Sequence, residues 1–259
     1  MAFCMFTDIT IINTDSTFKP AQICNIITLQ DITTREPYPA MLAQAPELAA
    51  EHIAAEGDDP TVFTEIFQPN TNIAVWQRTI SPALQQSIAE YLSNTKRVEI
   101  SMTVSPESAY QSVRDSLGDA PCAHVLSEDI AQLVDMFCFL FELDRAGLRI
   151  TALDAAMCPR FHFDRVPCRL VTTYQGVATQ WLPHEVVDRS KLGHGSDGLP
   201  DEESGLIQGP DDIRQLTAGD VALLKGSLWE GNEEAGLVHR SPAVTTDERR
   251  LLLTLDFSN

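Results

Sequence analysis

The sequence predicts an α+β protein in which a helical and mixed amino-terminal portion packs against a carboxyl-terminal double-stranded β-helix, or jelly roll. Two observations predict it. From Leu148 onward the 259-residue chain breaks into short apolar runs separated by turns, whereas the residues before it carry helical stripes with proline-marked starts. In the strand-rich half, His162-Phe163-Asp164 is followed far downstream by His239, so a distant strand must return close in space if the three are to act together.

In chain order, residues 72–77 read as a short strand. Ser81-Pro82 places a capping hydroxyl before a proline at the first helical position, and Leu84, Ile88, Tyr91 and Leu92 then form a helical stripe. Residues 98–104 return to strand, and Ser105-Pro106 repeats the cap signal ahead of a helix to about Leu117. The clearest helix is expected after Ser127. Glu128 and Asp129 occupy its first turn, Ile130, Leu133, Val134, Phe137, Cys138 and Phe141 share one face, and Gly147 ends it.

Beyond it, residues 148–153, 160–164, 169–174, 179–182, 220–225, 236–241 and 249–257 make about seven strands, the cadence of an eight-stranded jelly roll of the kind cupins use. The two portions, 1–147 and 148–259, are expected to form one compact unit. The stretch 183–217, rich in Gly, Asp and Glu, does not read as strand; it is either a lid over the barrel mouth or a solvated excursion.

A formal net charge of −19 argues against a sequence-independent hold on nucleic acid or on an anionic membrane, both of which need clustered Lys and Arg. Residues 1–6 show neither a positive n-region nor a long apolar stretch, so a cytoplasmic location is expected. Cys4, Cys24, Cys122, Cys138, Cys158 and Cys168 contain no C-x-x-C pair and read as reduced thiols. Cys158 and Cys168 bracket the His-x-Asp segment and are small core residues or, alternatively, a soft metal ligand. His52, His124, His184 and His194 have no partner pattern.

Two imidazoles and one carboxylate occupy one face of an octahedral ion and leave the opposite face open for substrate and oxygen, which is the ligand set of a non-haem iron facial triad. On an extended strand His162 and Asp164 point to the same side and Phe163 to the other. After His239 comes Arg240, a polar run, and then Arg249-Arg250 at the start of the last apolar strand. Alternation puts Arg250, Leu252, Thr254 and Asp256 on one face, and Arg249, Leu251, Leu253 and Leu255 on the other.

With these pieces assembled, the carboxyl-terminal half resembles the iron(II) and 2-oxoglutarate-dependent dioxygenase superfamily. Cys158-Pro-Arg-Phe-His-Phe-Asp164, Arg169-Leu-Val-Thr-Thr-Tyr-Gln-Gly176, Gly219-Asp-Val-Ala-Leu-Leu-Lys-Gly226 and Gly236-Leu-Val-His-Arg-Ser-Pro242 resemble, more closely, the bacterial family called domain of unknown function eighteen twenty-six. Its members often lie beside genes for zinc homeostasis. One departure is visible: Ala178-Thr-Gln-Trp181 stands where the family carries Gly-Thr-Glu-Trp.

The resemblance implies Fe(II), with Zn(II) as the alternative metal, held by His162, Asp164 and His239. It implies 2-oxoglutarate bound at its far carboxylate by Arg250 with Thr254 and Tyr174, Arg249 being the alternative arginine. Arg169 and Arg240 would offer a cationic point to an unknown substrate, and Trp181 and Trp229 its apolar wall; the alternative for each is structural. Two rival readings stand beside the hydroxylase. One is a metal cupin that needs no 2-oxoglutarate. The other is a metal-binding accessory protein of zinc homeostasis without turnover, completed by a fourth ligand such as Cys158 or Cys168.

Overall fold

A computed structural model of the chain describes residues 51–245 and 248–258. The readings made for residues 1–6, Cys4 and Cys24 lie outside these residues.

In chain order the strands are β1 (Ile53–Gly57), β2 (Thr71–Trp76), β3 (Glu99–Val104), β4 (Ala146–Leu153), β5 (Cys168–Gln175), β6 (Gln180–Leu182), β7 (Arg214–Gln215), β8 (Val221–Lys225), β9 (Val238–Arg240) and β10 (Arg250–Phe257). The helices are α1 (Pro82–Asn94), α2 (Pro106–Leu117) and α3 (Ala123–Leu140). Seven strands form one sheet in the order β1-β2-β8-β5-β10-β4-β3, and three form a second in the order β7-β6-β9. β1 runs parallel to β2; the other pairings are antiparallel. The two sheets line a common cleft, as a double-stranded β-helix requires.

Side-chain alternation builds the two faces of the large sheet. On β10, Leu251, Leu253 and Leu255 are fully buried with Ile130, Leu133, Val134 and Phe137 of α3, while Arg250, Leu252 and Thr254 line the cleft. On β5, Cys168, Leu170 and Tyr174 join the helix-side core, while Arg169 and Val171 face the cleft. The helix starts follow the cap chemistry: Ser81 accepts from the Leu84 amide, and Ser105 with Ser108 closes a capping box.

Several boundaries differ from expectation. α3 starts at Ala123, and Ser127 sits inside it, buried, donating to the Ala123 carbonyl at 2.6 Å. Ala123 and Leu126 extend the apolar stripe upstream, so tertiary burial outweighs the local cap signal. The helix ends at Leu140, followed by Glu142 at φ 53°, and Gly147 lies in β4 instead. The boundary drawn at 147/148 therefore falls inside β4, and strands from both sides of it share one sheet.

The strand expected over 160–164 reduces to a single bridge between His162 and His239. The 183–217 stretch contains 3-10 turns and the short strand β7. Its Leu206 and Ile207 pack with Phe161, Leu182 and Val238, and its buried Asp201 accepts from Arg160 Nε and the Phe161 amide, each at 2.7 Å. No residue of 183–217 lines the cleft, so this stretch buttresses the His162 segment and does not cover it. Among the described residues no helix is long and apolar enough to cross a membrane.

Candidate metal centre

His162 and His239 meet because their backbones bridge: the His162 amide donates to the His239 carbonyl at 3.0 Å and the reverse bond is 2.8 Å. The ring centroids lie 4.6 Å apart. Asp164, two residues on, brings Oδ2 to 3.5 Å from His239 Nε2 and Oδ1 to 3.9 Å from His162 Nε2. One ligand atom from each of the three lies within 4.8 Å of the others, and neither Cys158 nor Cys168 belongs to this group.

The donor chemistry fits a divalent metal. His162 Nδ1 lies 2.9 Å from the Arg160 carbonyl and His239 Nδ1 lies 3.2 Å from the Leu237 carbonyl. A carbonyl only accepts, so each Nδ1 carries the proton and each Nε2 presents its lone pair toward Asp164. Burial pushes the His239 imidazole down to about 4, which keeps it in the neutral, ligating form. Burial works to raise the Asp164 carboxyl, but the fields of His239, Arg169 and His162 and the Arg169 hydrogen bond outweigh it and hold it below the usual carboxylate range.

His162 and His239 open onto a cleft whose lining includes Arg250, Leu252, Thr254, Val171, Thr179 and Ser241, and Asp164 lies against both imidazoles. Arg250 is 1% exposed, yet its guanidinium contacts only hydroxyls: Thr179 Oγ1 at 2.7 Å, Ser241 Oγ at 2.8 Å and Thr173 Oγ1 at 3.2 Å. Burial lowers it to about 10, still above neutrality, so the cleft contains a buried cation that meets no carboxylate among the described residues.

A family model described as "Protein of unknown function (DUF1826)" matches residues 57–256. The chain belongs to that family. No curated protein matches it. Solved structures similar to it include a rice dioxygenase for auxin oxidation, with 12% identity over 80% of this chain and 82% of that one and a TM-score of 0.41. A Pseudomonas putida prolyl-4-hydroxylase has 14% identity over 77% and 97%, with a TM-score of 0.38. A Shewanella oneidensis structure described as a putative oxygenase has 10% identity over 80% and 89%, with a TM-score of 0.43.

Other residues singled out in this DUF1826 chain take varied places. Arg249 points away from the cleft, pairing with Asp154 and donating to the carbonyls of Leu92, Thr95 and Lys96 at the end of α1. Tyr174 is on the helix side, donating to Asp129 Oδ2 at 2.5 Å, and so stands apart from Arg250. Thr254 lines the cleft but is not among the hydroxyls that hold Arg250.

Arg169 and Arg240 line the cleft, each already bound to carboxylates: Arg169 to Asp164 and Asp256, Arg240 to Asp201 and Glu202. Gln180 accepts from Arg240 Nε at 2.8 Å, a role its amide oxygen fills without a carboxylate. Trp181 is buried in the apolar core between the sheets, and Trp229 packs on the helix side under Lys225. Neither lines the cleft. Cys158 lines it, whereas Cys168 is fully buried in the helix-side core, where burial pushes its thiol up. His52 and His184 stack on each other, and His124 bonds Tyr110.

The residues that sequence reasoning missed are Thr173, Thr179 and Ser241 around Arg250, and Asp256 behind Arg169. Parity on β5 and β10 marks Thr173 and Asp256 as cleft-facing. No local signal marks Thr179 or Ser241, which arrive from the loop before β6 and from just after β9.

Proposed function

We propose that this protein is an iron(II)- and 2-oxoglutarate-dependent oxygenase of the hydroxylase type. The observation that carries the reading is one cleft lined by His162, His239 and Arg250, with Asp164 grouped beside the two imidazoles and no carboxylate among the described residues bonded to the Arg250 guanidinium. When bound, iron(II) with 2-oxoglutarate supplies oxygen activation, yielding succinate, carbon dioxide and an oxygenated C–H bond in a second substrate.

The chain's own residues bind and orient. The two Nε2 lone pairs and the ionised Asp164 would hold the metal, a donor set that suits iron(II). Arg250 forks onto the far carboxylate of the diacid, held in place by three hydroxyls. Val171 and Leu252 supply an apolar wall that limits water. The ligands on this reading are small molecules in the cytoplasm, with neither nucleic acid nor membrane as partner; a link to zinc-homeostasis proteins rests on the family resemblance alone.

The rival reading of a zinc-holding accessory protein calls for a closed fourth ligand. Among the described residues, no further His, Cys, Asp or Glu joins the three donors.

The test is an anaerobic titration of metal-free protein with Fe(II) and then 2-oxoglutarate, following the visible metal-to-ligand charge-transfer band. The band is expected in the wild type and weakened in Arg250→Ala. Tight stoichiometric iron binding with no band would overturn the reading in favour of a metal cupin that does not use 2-oxoglutarate.

A further inference from the structure

Four arginines line the cleft, and their charges are not met alike. Arg169 is tied to Asp164 and Asp256, and Arg240 to Asp201 and Glu202. Arg250 is the buried cation assigned above to a dicarboxylate. Arg149 on β4 is exposed at the cleft and makes no hydrogen bond or ion pair with any described residue. This chain has 37 acidic side chains against 18 basic ones, so a carboxylate neighbour is the easy arrangement for a surface arginine. Asp256, diagonal to Arg149 across the β10 register, is instead taken up by Arg169.

A second observation is independent of charge. Thr254 lies directly opposite Arg149 in the β10–β4 pairing and lines the same cleft. It is 8% exposed, and its Oγ1 is buried without a hydrogen-bond partner. A buried hydroxyl is rarely left unmet in a native fold unless a ligand or water meets it. Arg250 does not: four residues of strand, roughly 13 Å, separate the two backbone positions. Beside the pair, Val171, Leu252 and Met157 give the cleft apolar surface.

We propose that Arg149 and Thr254 form a second anion subsite, which holds the carboxylate of the substrate to be oxidised, and that this substrate carries its carboxylate on an apolar body. The guanidinium forks onto both carboxylate oxygens and the Thr254 hydroxyl donates to one of them. Val171, Leu252 and Met157 take the body. The word substrate here rests on the oxygenase reading; the anion subsite stands on Arg149 and Thr254 alone.

The test is calorimetric titration of the full chain, loaded anaerobically with Fe(II), with and without saturating 2-oxoglutarate. The probes are phenylacetate, hexanoate and the primary amides of both. At least one acid binds both preparations, and its amide binds at least about tenfold more weakly, the scale of a lost charge-assisted contact. Arg149→Gln and Thr254→Val each weaken the acid by about tenfold or more and leave 2-oxoglutarate affinity within about twofold, while Arg149→Lys restores part of the loss.

Binding of neither acid, equal binding of acid and amide, or an acid affinity indifferent to Arg149→Gln would each overturn the proposal. A matching loss of 2-oxoglutarate affinity in Arg149→Gln would assign the anion to the cosubstrate and overturn it as well. If wild type binds the acid in an Arg149-dependent way but does not bind 2-oxoglutarate, the subsite stands and the oxygenase reading falls.

Discussion

Arg169 donates to Asp164 Oδ2 at 2.6 Å while its Nε and its other terminal nitrogen grip the two oxygens of Asp256 at 2.7 and 3.1 Å. The carboxylate of the candidate metal ligand is thereby held by a guanidinium that is itself held. Arg169→Met frees Asp164 to rotate and lowers Fe(II) or Zn(II) affinity by about 10- to 100-fold, the usual range for loss of an outer-shell partner. Competition with a chromophoric chelator measures it, and unchanged affinity would remove Arg169 from the site.

His162 is half-exposed, and its bridge to His239 is made by backbone atoms that a truncation keeps. His162→Ala therefore abolishes stoichiometric metal retention while changing the stability of the metal-free protein by no more than about 0.5 kcal/mol. Metal analysis after gel filtration, paired with chemical denaturation, reads both quantities.

Arg249 and Arg250 are adjacent but face opposite sides of β10, so their substitutions separate cleanly. Arg249→Ala strips three carbonyls at the end of α1 of a donor and costs about 1–3 kcal/mol of stability without altering dicarboxylate binding. Arg250→Ala removes dicarboxylate binding. Denaturation curves and 2-oxoglutarate titrations on the same two variants give the comparison.

Gly226 lets the loop that carries Asp164 close on the sheet. A Cβ there would meet the Val166 carbonyl at 2.1 Å and the Asp164 carbonyl at 2.8 Å, both backbone atoms. Gly226→Ala must push that loop outward, with a stability loss of about 2–4 kcal/mol and metal affinity reduced at least about tenfold. Retention of full metal affinity would mean that the Asp164 loop position does not set the site.

Lys225 is 1% exposed, donates to the Gln68 carbonyl at 2.9 Å and lies 4.8 Å from the Trp229 ring centre. No carboxylate among the described residues pairs with it, and burial pushes its ammonium down to about 8 from 10.5. Between those values the unfolded chain keeps a proton that the folded chain has released, so this group makes stability rise with pH across that window. Below it the full penalty, on the order of 2 kcal/mol, is present. The stability of wild type relative to Lys225→Met accordingly improves from pH 7.5 to about pH 10.5. A difference that stays flat with pH would show that Lys225 is solvated in the folded state.

Much of the candidate site was legible because it depends on alternation along single strands. Placing Arg250, Leu252 and Thr254 on one face of β10 and Arg249 on the other needs only a period of two, and the cleft lining agrees. The same rule applied to β5 sets Arg169, Val171 and Thr173 against Cys168, Leu170 and Tyr174, which would have assigned Tyr174 to the helix side. The start of α3 was not legible in Ser127, since its hydroxyl found a helical carbonyl once Ala123 and Leu126 were buried.

By itself the sequence determined most of the helix and strand order and the sidedness of β10, because those depend on neighbours one to four residues away; it marked the metal-capable donors by residue type, while their meeting depends on the bridge between His162 and His239. Tertiary structure alone decided which cations in the cleft are already neutralised and which remain open. Arg169 meets Asp256 87 residues on, and Arg240 meets Glu202 38 residues back. Charge pairing depends on distances of a few ångströms between chain segments, and only the closed pair of sheets sets those distances, leaving Arg149 and Arg250 as the cleft cations that meet no carboxylate among the described residues.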